Sequence, residues 1–117
     1  MTTQEVAHRL IELVKTGESE KAIHELYSPN IESKEVSHMG PLHLKGLEAI
    51  LGKHHQMQEN MEEFHSITVS EPIFAGKFFS CTMHMDAKMK GMERMMMEEV
   101  CVYKVEDGKV VSEEFFY

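Results

Sequence analysis

Arg94 to Tyr117, RMMMEEVCVYKVEDGKVVSEEFFY, is the stretch whose reading decides the fold. Two β-rich runs flank Glu106-Asp107-Gly108-Lys109, and an Asp-Gly step between alternating apolar residues is a strong hairpin signal, because Gly accepts the positive φ such turns need. Along the first run, Met97, Glu99, Cys101 and Tyr103 point to one side and Met96, Glu98, Val100 and Val102 to the other. One carboxylate therefore faces inward whichever side is buried. That unpaired acid is the first functional clue.

The preceding chain supplies what the hairpin packs against. Thr2 and Glu5 fit a capping box ahead of a helix from about Thr3 to Lys15, with Val6, Leu10, Leu13 and Val14 as its apolar stripe and Gly17 as its stop. A shorter helix over Ser19–Tyr27 buries Ala22, Ile23 and Leu26, and Pro29-Asn30 ends it. Ile31–His38 reads as a strand and Met39–Lys45 as a loop. A third helix from about Gly46 to Met61 sets Leu47, Ile50, Leu51, His54 and Met57 on one face. Strands follow at Phe64–Ser70 and Phe78–Met89, and Lys90-Gly91 turns the chain into the final hairpin. Helices first and hairpin-linked strands after them give an α+β protein.

Composition narrows the function classes. With 117 residues the chain is one domain, residues 1–117, with a small core that self-association would enlarge. A net charge of −8 argues against nucleic acid or an anionic membrane as partner. No stretch is long enough to span a membrane, and the N-terminal MTTQEVAHRL lacks the basic start and apolar run of a signal peptide. Cys81 and Cys101 lie within strands without CxxC spacing, as expected for reduced thiols of a cytosolic, cytoplasmic protein.

Glu99 is the leading candidate for chemistry. Under the helices its carboxyl would be desolvated and driven toward the neutral form, able to donate to a developing oxyanion; ionised, it could serve as a base. A solvated or ion-paired edge formed with Glu98 is the plainer alternative. A two-residue turn at Lys90-Gly91 pairs even positions of one strand with odd positions of the next, bringing His84 and Asp86 onto the face of Glu99. A loop longer by one residue sends them to opposite faces. On a shared face, imidazole and carboxylate would form the general acid–base group, Glu99, His84 and Asp86 being the catalytic candidates.

Glu35, His38, Lys53 and His54 could close the other side of a pocket walled by Met97, Cys101 and Tyr103, although a core or rim position is the ordinary role for His54 and Tyr103. Eight histidines raise the question of a metal. There is no HExxH or H-x-H, His54 and His55 diverge on a helix, and His84-x-Asp86 offers two ligands, so no metal site is expected. No phosphate loop or nucleophile elbow appears, and no cofactor is expected.

LYSPNIESKEV after the second helix, GLEAILGKH opening the third, and EEVCVYKVEDGKVVSEEFFY together resemble a SnoaL-like protein of the nuclear-transport-factor-2-like superfamily. The resemblance spans essentially the whole chain. It implies a cone: a curved, mixed, mostly antiparallel sheet wrapped around three N-terminal helices. It also implies a pocket for a small apolar or amphipathic organic molecule, a homodimer, and, where members are enzymes, cofactor-free isomerisation, cyclisation or dehydration. Other members only bind or transport, so a non-catalytic homodimer is the alternative. The acidic base of the ketosteroid isomerases in this superfamily would fall near Ser37 or His38, two or three residues past Glu35. Their protonated acid would fall near Cys101, one inward step past Glu99. Neither position carries a carboxylate here.

Overall fold

The computed structural model describes residues 1–36 and 40–117. Among them are three helices, α1 (Thr3–Lys15), α2 (Ser19–Leu26) and α3 (Leu47–Asn60). The strands are β1 (Tyr27–Val36), β2 (Leu42–Lys45), β3 (Met61–Val69), β4 (Ile73–Ala75), β5 (Phe78–Met89), β6 (Met95–Glu106) and β7 (Lys109–Phe116). They form one open sheet in the order β2-β1-β7-β6-β5-β3, with β4 also on β5. Every pairing is antiparallel except β1 with β7. The fold is therefore α+β, as the sequence pattern implies, with the mixed, mostly antiparallel sheet that the resemblance implies.

The capping box forms: the Thr2 hydroxyl accepts from the Glu5 N–H at 3.1 Å, and the Glu5 carboxylate accepts from the Thr2 N–H at 2.9 Å. Two of the orphan donors at the α1 N-terminus are thereby satisfied. The apolar stripe of α1 is buried, including Leu10 and Leu13, and joins Ala22, Ile23 and Leu26 of α2 on the inner face of the sheet. Each fully buried leucine contributes about 1.5–3 kcal/mol relative to an exposed one. α3 is different. Ile50 is its one buried residue, while Leu47 and Leu51 only lean on the core and Met57 is exposed.

Several boundaries depart from the sequence expectation. α2 stops at Leu26 and β1 begins at Tyr27, running through Pro29. Pro29 is exposed and falls where pairing with β7 is interrupted, between Tyr27 and Glu32, so its missing N–H breaks no ladder bond there. Leu42–Lys45, expected as loop, pairs with β1 as β2. β3 starts earlier, at Met61, and β4 was not expected. The last two residues of the expected strand Ile31–His38, and Met39, lie outside the described residues.

The two hairpins fix the faces. At Asp107-Gly108 both residues have positive φ, 51° and 75°, as a two-residue type I′ turn requires. The β5–β6 connection is longer than the two-residue turn at Lys90-Gly91. Its register pairs Met83 with Glu99, His84 with Glu98, Met85 with Met97 and Asp86 with Met96. Odd positions thus face odd positions. The shared face expected for His84, Asp86 and Glu99 does not form: His84 and Asp86 lie on the outer face, Glu99 on the inner.

Candidate functional site

The inner face of β6 carries Met97, Glu99, Cys101 and Tyr103 in sequence, grading from half-buried to buried. Tyr103 stacks on Phe79 of β5 at 4.7 Å between ring centroids and meets the edge of Phe115 of β7 at 6.1 Å. This aromatic floor holds the strands in position. Glu99 stands two inward steps from Tyr103, with the Sγ of the intervening Cys101 3.6 Å from its Oε1. Burial raises the Glu99 pKa above the ordinary carboxylate range; the Cys101 thiol and the Lys53 ammonium oppose that, and the charges of Glu35 and Glu113 reinforce it.

Glu113 was not singled out by the sequence pattern, and it is the deepest acid of the site. It is 2% exposed. Tyr27 donates its phenol hydrogen to Oε1, and the Ser33 hydroxyl donates to Oε2 at 2.7 Å. Burial raises its pKa, and those two hydrogen bonds only partly offset the rise. Tyr27 is itself held in its neutral form, first by burial and then by the neighbouring carboxyl. A bulge puts Glu113 there. Val105 pairs with Val110, but Lys104 pairs with Ser112 and Tyr103 with Glu113, so Val111 is the extra residue. Uninterrupted pairing from the Asp107-Gly108 turn would set Ser112 and Glu114 on the Tyr103 face instead. The signal available in the sequence was the Ser112-Glu113-Glu114 run in an otherwise apolar strand.

Glu35 and Lys53 complete the cluster from β1 and α3. Lys53 Nζ lies 2.5 Å from Glu35 Oε2, and the Tyr117 hydroxyl donates to Oε1. The Glu35 side chain is 12% exposed. Burial pushes its pKa up, but the hydrogen bonds from Lys53 and Tyr117 prevail and leave it below the ordinary value. Lys53 also sits over the Phe115 ring, 5.2 Å from its centroid. His54, the next residue, is half-buried; burial lowers its pKa, and its Nε2 is enclosed without a hydrogen-bond partner. His38 lies outside the described residues.

The remaining candidates lie on the other side of the sheet. Asp86 is gripped by Arg94 through two hydrogen bonds, 2.9 and 2.8 Å, which lower its pKa. His84 Nε2 is 3.8 Å from a carboxylate oxygen of Glu98. A shallow cleft of about 200 Å³ is lined by Thr82, His84, Glu98, Val100 and Phe116 of this face and is bordered by Glu99, whose side chain belongs to the inner face. Among the described residues, no three His, Cys, Asp or Glu side chains are placed to hold a metal ion.

Three helices against an open, mixed, curved sheet, with polar groups gathered on its inner face, define the cone-shaped architecture of nuclear-transport-factor-2-like proteins. Within that class the chain belongs to the SnoaL-like domain family, whose model matches residues 1–117. It is similar to a protein from Mesorhizobium loti assigned to the SnoaL-like polyketide cyclases, with 34% identity over 100% of both chains and a TM-score of 0.92. A protein of Catenulispora acidiphila with a ketosteroid-isomerase-like fold, solved with trimethylamine, shares 18% identity over 99% of this chain and 87% of its own, with a TM-score of 0.78. An NTF2-like protein from Burkholderia pseudomallei shares 13% identity over 97% of this chain and 88% of its own, with a TM-score of 0.80. At those lower identities the likeness is one of fold. No curated protein matches the sequence.

Proposed function

We propose that the inner face between α3 and strands β1, β7 and β6 receives a small apolar or amphipathic organic molecule and transfers protons on it without a cofactor. One observation carries this reading: neighbouring carboxyls are driven in opposite directions. Lys53 and Tyr117 keep Glu35 ionised, while burial drives Glu99 and Glu113 toward the neutral acid. A pair of titratable groups whose surroundings separate their pKa values is what acid–base catalysis requires. In this reading Glu35 is the base, and Glu99 is the acid or the donor to a developing oxyanion. Glu113 holds Tyr27 and Ser33 in place beneath them. The chemistry is of the isomerase, cyclase or dehydratase type. The loose seating of α3 supports entry on that side.

The test is deuterium exchange at the α-carbon of a panel of small ketones, followed by NMR in heavy water. Exchange faster than buffer, lost in Glu35→Gln and reduced in Glu99→Gln, is expected. A panel that exchanges no faster with the protein than without it would overturn catalysis and leave ligand binding, to be read by native mass spectrometry.

The outer face supports a second part of the proposal, a homodimer. Met96, Val100, Phe116 and Phe78 are exposed there, more apolar surface than a sheet face left in water ordinarily shows. His84 and Asp86 then belong to the contact between copies rather than to the inner site. Sedimentation showing a monomer at micromolar concentration would remove this part. The free Cys81 and Cys101 fit a reducing, cytoplasmic setting.

A further inference from the structure

The inner face of β5 and β6 also carries a run of sulfur, of which the acid cluster engages only Cys101, through Glu99. Pairing sets Cys81 directly opposite Cys101, Met83 opposite Glu99, and Met85 opposite Met97. Directly opposed residues hold their Cβ atoms about 4.5–5.5 Å apart, and diagonal neighbours about 7–8 Å, within reach of long side chains. The two thiols therefore meet, and the thioether of Met83 lies on the diagonal to Cys101. Both cysteines are free; they face each other across the ladder, and the Cys101 thiol donates its hydrogen to Glu99 Oε1 at 3.6 Å. Cys81, Cys101 and Met83 are all buried, at 4%, 0% and 8% exposure.

We propose that Cys81, Cys101 and Met83 form a binding site for a soft monovalent cation of the copper group, held by two thiolates and one thioether. Sulfur ligands of this kind select Cu(I), whereas harder ions prefer nitrogen and oxygen. The nearby groups decide between soft and borderline metals. Zinc needs further Cys, His or carboxylate ligands, and no set of three such residues is assembled among the described residues. A thioether meets the need of a soft ion alone. Binding is a balanced exchange: Cu⁺ plus two thiols gives a dithiolate complex of net charge −1 and two released protons, with no oxidant or reductant. The opposed strands hold the sulfurs in place beforehand, so little ordering is lost on binding.

The test uses the reduced full chain under anaerobic conditions, with Cu(I) supplied as its complex with a chromophoric chelator. The chain is expected to withdraw one cation per molecule from the chelator, with thiolate-to-metal absorption in the ultraviolet and release of two protons. Cys81→Ser and Cys101→Ser should each abolish withdrawal. Met83→Leu, a near-isosteric change that leaves the core filled, should weaken it several-fold. Zinc titrated in parallel should bind far more weakly. Cation uptake without proton release, unchanged uptake in a folded Cys81→Ser variant, or zinc binding as tight as copper would overturn the proposal. Proton release is read on the unmodified chain, so the outcome stands even if a cysteine variant does not fold.

Discussion

The phenol of Tyr27 donates to the carboxyl of Glu113 from the first residue of β1, joining positions 86 apart in sequence inside the core. Removing the phenol oxygen leaves Glu113 with Ser33 as its remaining hydroxyl donor. Tyr27→Phe should cost about 1–3 kcal/mol, the range for stranding a buried polar group. Ser33→Ala should cost less, because Tyr27 remains. Urea denaturation of both single variants and the double variant should show coupling, since all three residues share one network.

Glu113 should also leave a mark on the pH dependence of stability. Its folded pKa is raised above the unfolded value, so the folded state holds the proton more tightly. The contribution is fully present below about pH 4.3, the ordinary glutamate value, and is lost as pH rises through the folded pKa. The stability of the wild type relative to Glu113→Gln should therefore fall as pH is raised above that point. A difference that grows with pH would mean Glu113 is ionised at no cost in the fold.

Glu35 runs the other way. Its lowered pKa gives stability that is present above the unfolded value and lost as pH falls through the folded one. Lys53→Met should reverse its shift, because burial then acts against the Tyr117 hydrogen bond alone among the local influences. An NMR titration of the Glu35 carboxyl should show the rise. The stability cost should be about 1–2 kcal/mol, short of the full cost of breaking a dry ion pair, since Lys53 keeps part of its side chain in water.

At the other end of the chain, Thr2→Ala removes the acceptor for the Glu5 N–H and half of the reciprocal box. The expected loss is about 1 kcal/mol, with Thr2→Ser restoring most of it. Thermal denaturation checks both.

The elements that were legible in the sequence are those whose signals are local. The α1 cap and its stripe, the span of β5 and the Asp107-Gly108 turn each need only a few adjacent residues to specify them. What escaped was set at a distance. β2 is strand because β1 is there to pair with it, and Tyr27 is extended because it must reach Glu113. The inward aim of Glu99, Cys101 and Tyr103 followed from alternation, since Tyr103 and Cys101 are core residues. The partnership of Glu99 with His84 and Asp86 hinged on one residue in the β5–β6 connection, and the longer connection separates them. Glu35 and Lys53 were both visible as candidates, but their contact across β1 and α3 was not.

Val111 gives this counting problem a wider meaning. Because the unpaired Val111 turns Glu113 inward, pairing it in register at unchanged length would exchange the inward set of the far half of β7, offering Ser112 and Glu114 where Glu113 and Phe115 now stand. Deleting it would instead leave Glu113 opposite Tyr103. A change of pairing alone could thus rewrite the polar lining of the cone without a single substitution. Relatives whose last strands align residue for residue can present different side chains to the interior if one of them lacks the bulge.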